Sequence, residues 1–230
     1  KTTVMTVPYG VTSLGARQQV ADALKKQLKG KCEDLEIAQL SGLLSKLVLD
    51  SVDEVFKNAM QIKRWLDKAT SICNSANFPV CWIAPGGLAC RQFYRDTQEC
   101  SVQLGIQRVT IQKPSDKLPV KPSKQRQGFP PNFIHSIDAT HMAFTALQCR
   151  DQGLNFAAVH DSYWTHAGDV DAMGAAIRES FVELYEMPIL ERLAEDLSAC
   201  LGPIGNRLPP LPDRGELDIR EVLDSRYFFH

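Results

Sequence analysis

The chain has 230 residues, 44% of them hydrophobic and 23% charged, ordinary values for a globular protein long enough to bury a sizeable core. No apolar run approaches the roughly 18 uncharged residues that a membrane span needs, so the sequence reads as soluble, with no membrane partner. The formal net charge of −1 hides an asymmetry: residues 1–130 hold 19 Lys/Arg against 11 Asp/Glu, and residues 131–230 hold 7 against 16. A basic half joined to an acidic half suits an enzyme that grips phosphates with one part and gathers metal ions with the other.

Seven cysteines without a CxxC pair argue against a zinc site and read as free thiols of a reducing compartment. The opening KTTVMTVPYG has neither the apolar core of a signal peptide nor the Arg/Ser-rich amphipathic pattern of a transit peptide. It reads as the end of one helix, on which Lys1, Met5 and Tyr9 share a face and Gly10 allows a close backbone approach. Ser13 is expected to cap a helix reaching Lys29, with Gly30 as its stop. A helical pattern over residues 36–76, broken once, carries an apolar stripe of Leu40, Leu43, Leu44 and Leu47 that reads as core.

From Phe78 the pattern changes. Val80, Trp82 and Ile83 predict a short strand and Pro85-Gly86-Gly87 a turn. Residues 102–111 alternate as an extended segment. Residues 108–126 carry six basic side chains against the single acid Asp116, as a flexible phosphate-contacting loop would. Pro130-Pro131 predicts the first turn of a helix ending near Gly153. Two short extended runs then flank His160-Asp161-Ser162. Asp169 is expected to cap a helix burying Met173, Ile177, Phe181 and Leu184 until Pro188 interrupts it. A short helix near residues 219–223 precedes the aromatic end.

The segment around His160-Asp161 carries chemistry: a hydrophobic strand delivers a carboxylate to a tight turn, where a hard oxygen can hold a divalent cation on rigid backbone. The decapeptide adds a lysine able to meet a triphosphate and an aromatic hydroxyl two turns away. In this order, K-T-T-V-M-T-V-P-Y-G and V-H-D-S resemble motifs B and C of single-subunit, bacteriophage-type DNA-directed RNA polymerases. Residues 128–142, G-F-P-P-N-F-I-H-S-I-D-A-T-H-M, and the closing P-P-L-P-D-R-G-E-L-D-I-R-E-V-L-D-S are similar to the mitochondrial branch in particular. Family A DNA polymerases share the lysine and Tyr-Gly, but usually carry an aromatic at Met5 and a glutamate at Ser162; both departures favour the RNA branch.

The resemblance implies an α+β, mostly helical fold, part of a right-hand polymerase with a small antiparallel palm sheet. Residues 1–91 would belong to the fingers, 92–128 to a specificity-loop-like basic hairpin and loop, and 129–230 to the palm with its tail. It implies that Asp161 binds Mg2+ in a two-metal site, that His160 lies near the RNA 3′ end, and that Lys1 contacts the incoming triphosphate. Tyr9 would select ribose, with Met5 and Gly10 beside it. His135 would lie near the nascent base pair, and Arg95 and Arg108 would reach promoter DNA. Implied partners are DNA template and promoter, nascent RNA, NTPs and mitochondrial initiation factors, in the mitochondrial matrix. The family's first metal-binding aspartate, in a motif like Asp-Gly-Ser-Cys, does not occur here. The chain therefore reads as a fragment that is inactive alone. The alternatives are a family A DNA polymerase fragment and a non-catalytic nucleic-acid-binding module.

Overall fold

The structure is a computed structural model describing residues 2–7, 10–28, 33–115, 117–159 and 161–228. It is α+β and mostly helical, as expected, and it divides into two compact units: residues 1–67 with 212–214, and residues 68–211 with 215–230. No helix among the described residues is long and apolar enough to cross a membrane.

The first unit is helical. α1 spans Thr2–Thr6. In the turn that follows, Val11 N donates to Thr6 O at 3.2 Å and Gly10 sits at φ +90°, a conformation that selects glycine. α2 (Ser13–Leu28) begins on Ser13 rather than being capped by it. The cap is Thr12, whose Oγ1 accepts from Gly15 N at 3.1 Å, satisfying one of the free amides of the first turn. α3 (Asp34–Val55) opens with a capping box between Glu33 and Glu36, and the expected break falls at Phe56, before α4 (Lys57–Ser75).

The leucine stripe is not core. Leu40, Leu43, Leu44 and Leu47 are exposed, and α3 buries Ile37, Ser41, Ser45 and Val52 instead. α3 packs against α2, which buries Ala16. Ser41 and Ser45 satisfy their hydroxyls on the carbonyls of Ala38 and Gly42, so a face of small residues approaches its neighbour closely without an unpaired polar group.

Among the described residues the second unit holds three separate two-stranded antiparallel sheets. β1 (Cys81–Ile83) pairs with β2 (Ala89–Arg91) around the turn containing Gly86 and Gly87. β3 (Thr97–Leu104) and β4 (Gln107–Pro114) form a hairpin turning at Gly105 (φ +59°), within the residues read as extended and as part of a basic hairpin. β5 (Ala157–Val159) pairs with β6 (Ser162–Trp164).

Around them run α5 (Pro122–Asp151), α6 (Val170–Glu186) and α7 (Ile189–Leu201). Asp169 stands at the N-cap position of α6 without a capping hydrogen bond from its side chain. Met173, Ile177 and Leu184 are buried as expected, Phe181 is only half-buried, and Pro188 separates α6 from α7.

α5 starts eight residues before the expected Pro130, with Pro122 in the first turn and Pro130-Pro131 inside the helix. An interior proline removes a donor and crowds the preceding turn, at about 3 kcal/mol or more. Tertiary contacts on both sides of the prolines outweigh that. Gln125, fully buried, accepts from Val80 N at 2.8 Å and donates to Asn74 Oδ1 at 2.9 Å and Phe78 O at 3.1 Å. Phe129 and Phe133 pack edge-on against Trp82, with ring centroids 5.4 and 6.2 Å away.

Candidate active site

The hairpin β5–β6 pairs Val159 with Ser162, and Asp161 lies in the connection between them. Asp161 is exposed at this turn. Alternation sends Ala158 and Tyr163 inward, and Tyr163 anchors the hairpin: its ring lies 5.4 Å from Phe156 and 6.4 Å from His141. Tyr163 and Phe156 rest on a buried cluster of Cys149 from α5 and Met173, Ala176 and Ile177 from α6. Thr165 Oγ1 donates to Asn155 O at 2.6 Å and closes the hairpin's base. A short hairpin is marginal alone; this one gains its rigidity from the α5–α6 pair beneath it.

That pair is fastened by polar groups. His141, buried, contacts Ile177 O through Nε2 at 2.9 Å, and since a carbonyl only accepts, Nε2 carries the proton. Thr145 Oγ1 donates to His141 O at 2.9 Å and lies 2.7 Å from Ser180 Oγ. Burial holds the His141 imidazole below its ordinary pKa, although its bond to Ile177 and the charge of Asp138 oppose this. His141 is a buried histidine that ties α5 to α6.

Asp138 is a residue that reading passed over. It lies one helical turn after His135, and its carboxyl pKa is raised by burial and further by Asp161, while His135 and His141 pull it down. Asp161 and His135, predicted from separate motifs, thus share an electrostatic neighbour on α5. The phenols of Tyr163 and Tyr185 are both raised by burial first and by Asp138 second, Tyr185 to about 12. The signal was available in the i, i+3, i+6 spacing of His135, Asp138 and His141, once the segment is known to be helical.

His135 is exposed and lines an open cleft of about 570 Å³ with Asn132, Trp82, Arg91, Phe93 and Tyr94. The cleft is built from hydrogen bonds and ring contacts. Trp82 Nε1 donates to Ser136 Oγ at 3.0 Å, Asn132 Nδ2 to Tyr94 Oη at 3.3 Å, and the Arg91 guanidinium lies 4.6 Å from the Phe93 ring centroid. Gly128 is required at its edge, since a Cβ there would come within 2.8 Å of Tyr94 Cε2.

Arg108 stands on the exposed β3–β4 hairpin with Nε on Ser101 Oγ at 2.6 Å. Arg95 is turned inward at the hairpin's base, where Nη1 donates to Leu118 O at 2.7 Å. Met5 (59% exposed) and Gly10 belong to the first unit, whereas Asp161, His135, Arg95 and Arg108 belong to the second. Lys1, Tyr9 and His160 lie outside the described residues.

The donor set suits a hard cation only in part. Asp161 offers an exposed carboxylate on rigid backbone, and its repulsion of Asp138 is of the kind a divalent cation relieves. Among the described residues, however, no three His, Cys, Asp or Glu side chains converge to hold a metal ion. Asp161 fits as one ligand of a site that needs others.

DNA-directed RNA polymerase 2A of Nicotiana tabacum is 46% identical over 230 residues, which is 100% of this chain and 68% of that protein. The mitochondrial DNA-directed RNA polymerase 1 of Nicotiana sylvestris is 46% identical over the whole chain, which spans 22% of its length. The chloroplastic DNA-directed RNA polymerase 3 of that species is 45% identical, with 23% of its length spanned. The family described as DNA-dependent RNA polymerase matches residues 1–204. A match over most of the chain, together with identity of this order along all of it, makes this protein a member of the DNA-dependent RNA polymerase family.

Proposed function

We propose that this chain takes part in DNA-templated RNA synthesis from NTPs, in mitochondrial transcription, with Asp161 as a magnesium ligand. The observation that carries the proposal is the delivery of Asp161 to an exposed turn by a hairpin anchored on α5 and α6. Names of mitochondrial and chloroplastic relatives support an organellar setting. When bound, a pair of magnesium ions supplies charge stabilisation for the attacking 3′-hydroxyl and the leaving pyrophosphate. The chain's own residues bind and orient. Lys1 meets the triphosphate, and Tyr9, with Met5 and Gly10 beside it, discriminates the sugar. His160 sits next to the RNA 3′ end, and the cleft bearing His135 borders the nascent base pair. The β3–β4 hairpin with Arg108, held at its base by Arg95, approaches promoter DNA. Initiation factors would act on the assembled polymerase. One aspartate is not a two-metal site, so the 230-residue chain by itself does not polymerise on this reading.

The test is RNA-primer extension on a DNA template with magnesium, using the native-length polypeptide and its Asp161→Asn variant, with NTPs and dNTPs in parallel. Loss of groups that merely orient metal ligands costs 10–100-fold, so removing a ligand's charge should lower NTP incorporation by more than about 100-fold. Extension that survives the substitution reduces Asp161 to a turn residue. Preference for dNTPs would point to a DNA polymerase. DNA binding with no extension by the unsubstituted protein would point to a non-catalytic module.

A further inference from the structure

A cysteine pair lies outside the site described above. α7 runs beside β1, and Asp196 Oδ2 accepts from Ile83 N at 2.8 Å. Four residues further along α7, about 6 Å of helical rise, stands Cys200. Two residues back along β1, about 6.6 Å of strand, stands Cys81. Ile189 and Arg192, early in α7, line a cleft with Ala84 and Pro85, just beyond β1. α7 therefore runs antiparallel to β1, and the matched steps bring Cys81 and Cys200 to neighbouring positions; the Cys81 thiol itself donates to Pro79 O at 3.1 Å.

The two thiols differ in access. Cys200 is exposed and Cys81 half-buried. Burial pushes the Cys81 thiol up, and Arg91, its partner across the β1–β2 ladder, opposes that rise only in part. Cys73 is also near, but it is buried and its pKa is raised by desolvation to about 12, so it is a poor nucleophile.

We infer that Cys81 and Cys200 form a reversible dithiol–disulfide site whose co-reactant is a low-molecular-weight disulfide. The Cys200 thiolate attacks one sulfur of the reagent, forming a mixed disulfide and expelling one thiol. The Cys81 thiolate then attacks the Cys200 sulfur, forming the S81–S200 bond and expelling the second thiol. Two protein thiols lose two electrons and two protons, and one reagent disulfide becomes two thiols. Side-chain rotation must bring the two sulfurs to the roughly 2.05 Å of a disulfide bond. Trp82, adjacent to Cys81, holds Ser136 at the wall of the His135 cleft, so the bond fixes the strand that supports that cleft. None of this depends on the polymerase reading.

The native-length polypeptide is equilibrated with oxidised glutathione, quenched with N-ethylmaleimide, digested and analysed by mass spectrometry. The expected product is a Cys81–Cys200 cross-linked peptide, two hydrogens lighter than its two thiol peptides together, that disappears on reduction. Cys200→Ser should abolish it and leave Cys81 free. Cys81→Ser should trap Cys200 as a stable glutathione adduct. The inference is overturned if Cys200 stops at the glutathione adduct in the unsubstituted protein, if Cys81 pairs with Cys73, or if both thiols are recovered fully alkylated. The unsubstituted protein decides among these outcomes, whatever the folding of the variants.

Discussion

Replacing Gln125 by methionine keeps the side chain's length and volume while deleting both polar atoms. Three hydrogen bonds disappear, at 2.8, 2.9 and 3.1 Å. The Val80 amide is fully buried and then has no acceptor, a loss of about 1–3 kcal/mol. Asn74 and Phe78 keep some access to water, so their two bonds count for about 0.5–1 kcal/mol each. The sum is about 3 kcal/mol. With a urea dependence of about 3 kcal/mol per molar, at the upper end for small domains, the unfolding midpoint should fall by about 1 M. Tryptophan fluorescence and far-ultraviolet circular dichroism should report the shift together, and Gln127→Met, exposed on the same helix, should leave the midpoint unchanged. A shift below about 0.3 M for Gln125→Met would refute the reasoning: α5 would not be clamped to the segment ahead of β1 by this amide.

His141 titrates with a depressed pKa in the folded state, so the unfolded chain binds its proton first as pH falls. The associated stability is fully present above about pH 6.5 and is lost below it, down to the folded pKa. His141→Gln, whose amide can still donate to Ile177 O, should flatten that part of a stability–pH profile from denaturant titrations; an unchanged profile would assign the loss to another group. Gly128→Ala should displace Tyr94 and lower stability by about 1–3 kcal/mol, whereas Gly168→Ala, with open space around it, should change little; equal effects in thermal melts would contradict the crowding. Tyr163→Ala should cost about 3 kcal/mol and speed amide exchange across β5–β6, while the more exposed Trp164→Ala should do much less. Equal protection of the hairpin amides in both variants would show that Tyr163 is not the anchor.

Local patterns that carry their own geometry were readable in the chain. The β5–β6 hairpin around His160-Asp161 follows from two short apolar runs about a polar pair, the stop at Pro188 follows from proline, and a single break within residues 36–76 follows from lost periodicity, although its place at Phe56 does not. Patterns that depend on what lies opposite were not readable. The leucine stripe of α3 has the spacing of a core face, yet packing is decided by the neighbour, and α2 meets the small residues Ser41 and Ser45 instead. The start of α5 was misjudged because both Pro122 and Pro130 suit a first turn; only the Gln125 bonds and the Phe129–Trp82 contact, distant in sequence, extend the helix past its interior prolines. Asp138 carried a signal in its spacing to His135 and His141, but its link to Asp161 was not readable, since it is set by where β5–β6 lands on α5.

The β3–β4 hairpin has a consequence for how this protein behaves in concentrated solution. Both outer edges of the two-stranded ribbon are unpaired in its sheet, and Val102, Leu104, Ile106, Val109 and Ile111 are exposed along it. Such an edge is a template on which a second copy can add a strand, and few charges interrupt it, chiefly Glu99, Arg108 and Lys113. This ribbon is therefore a segment through which the protein can self-associate, and a ligand seated along it would act as a solubilising cover.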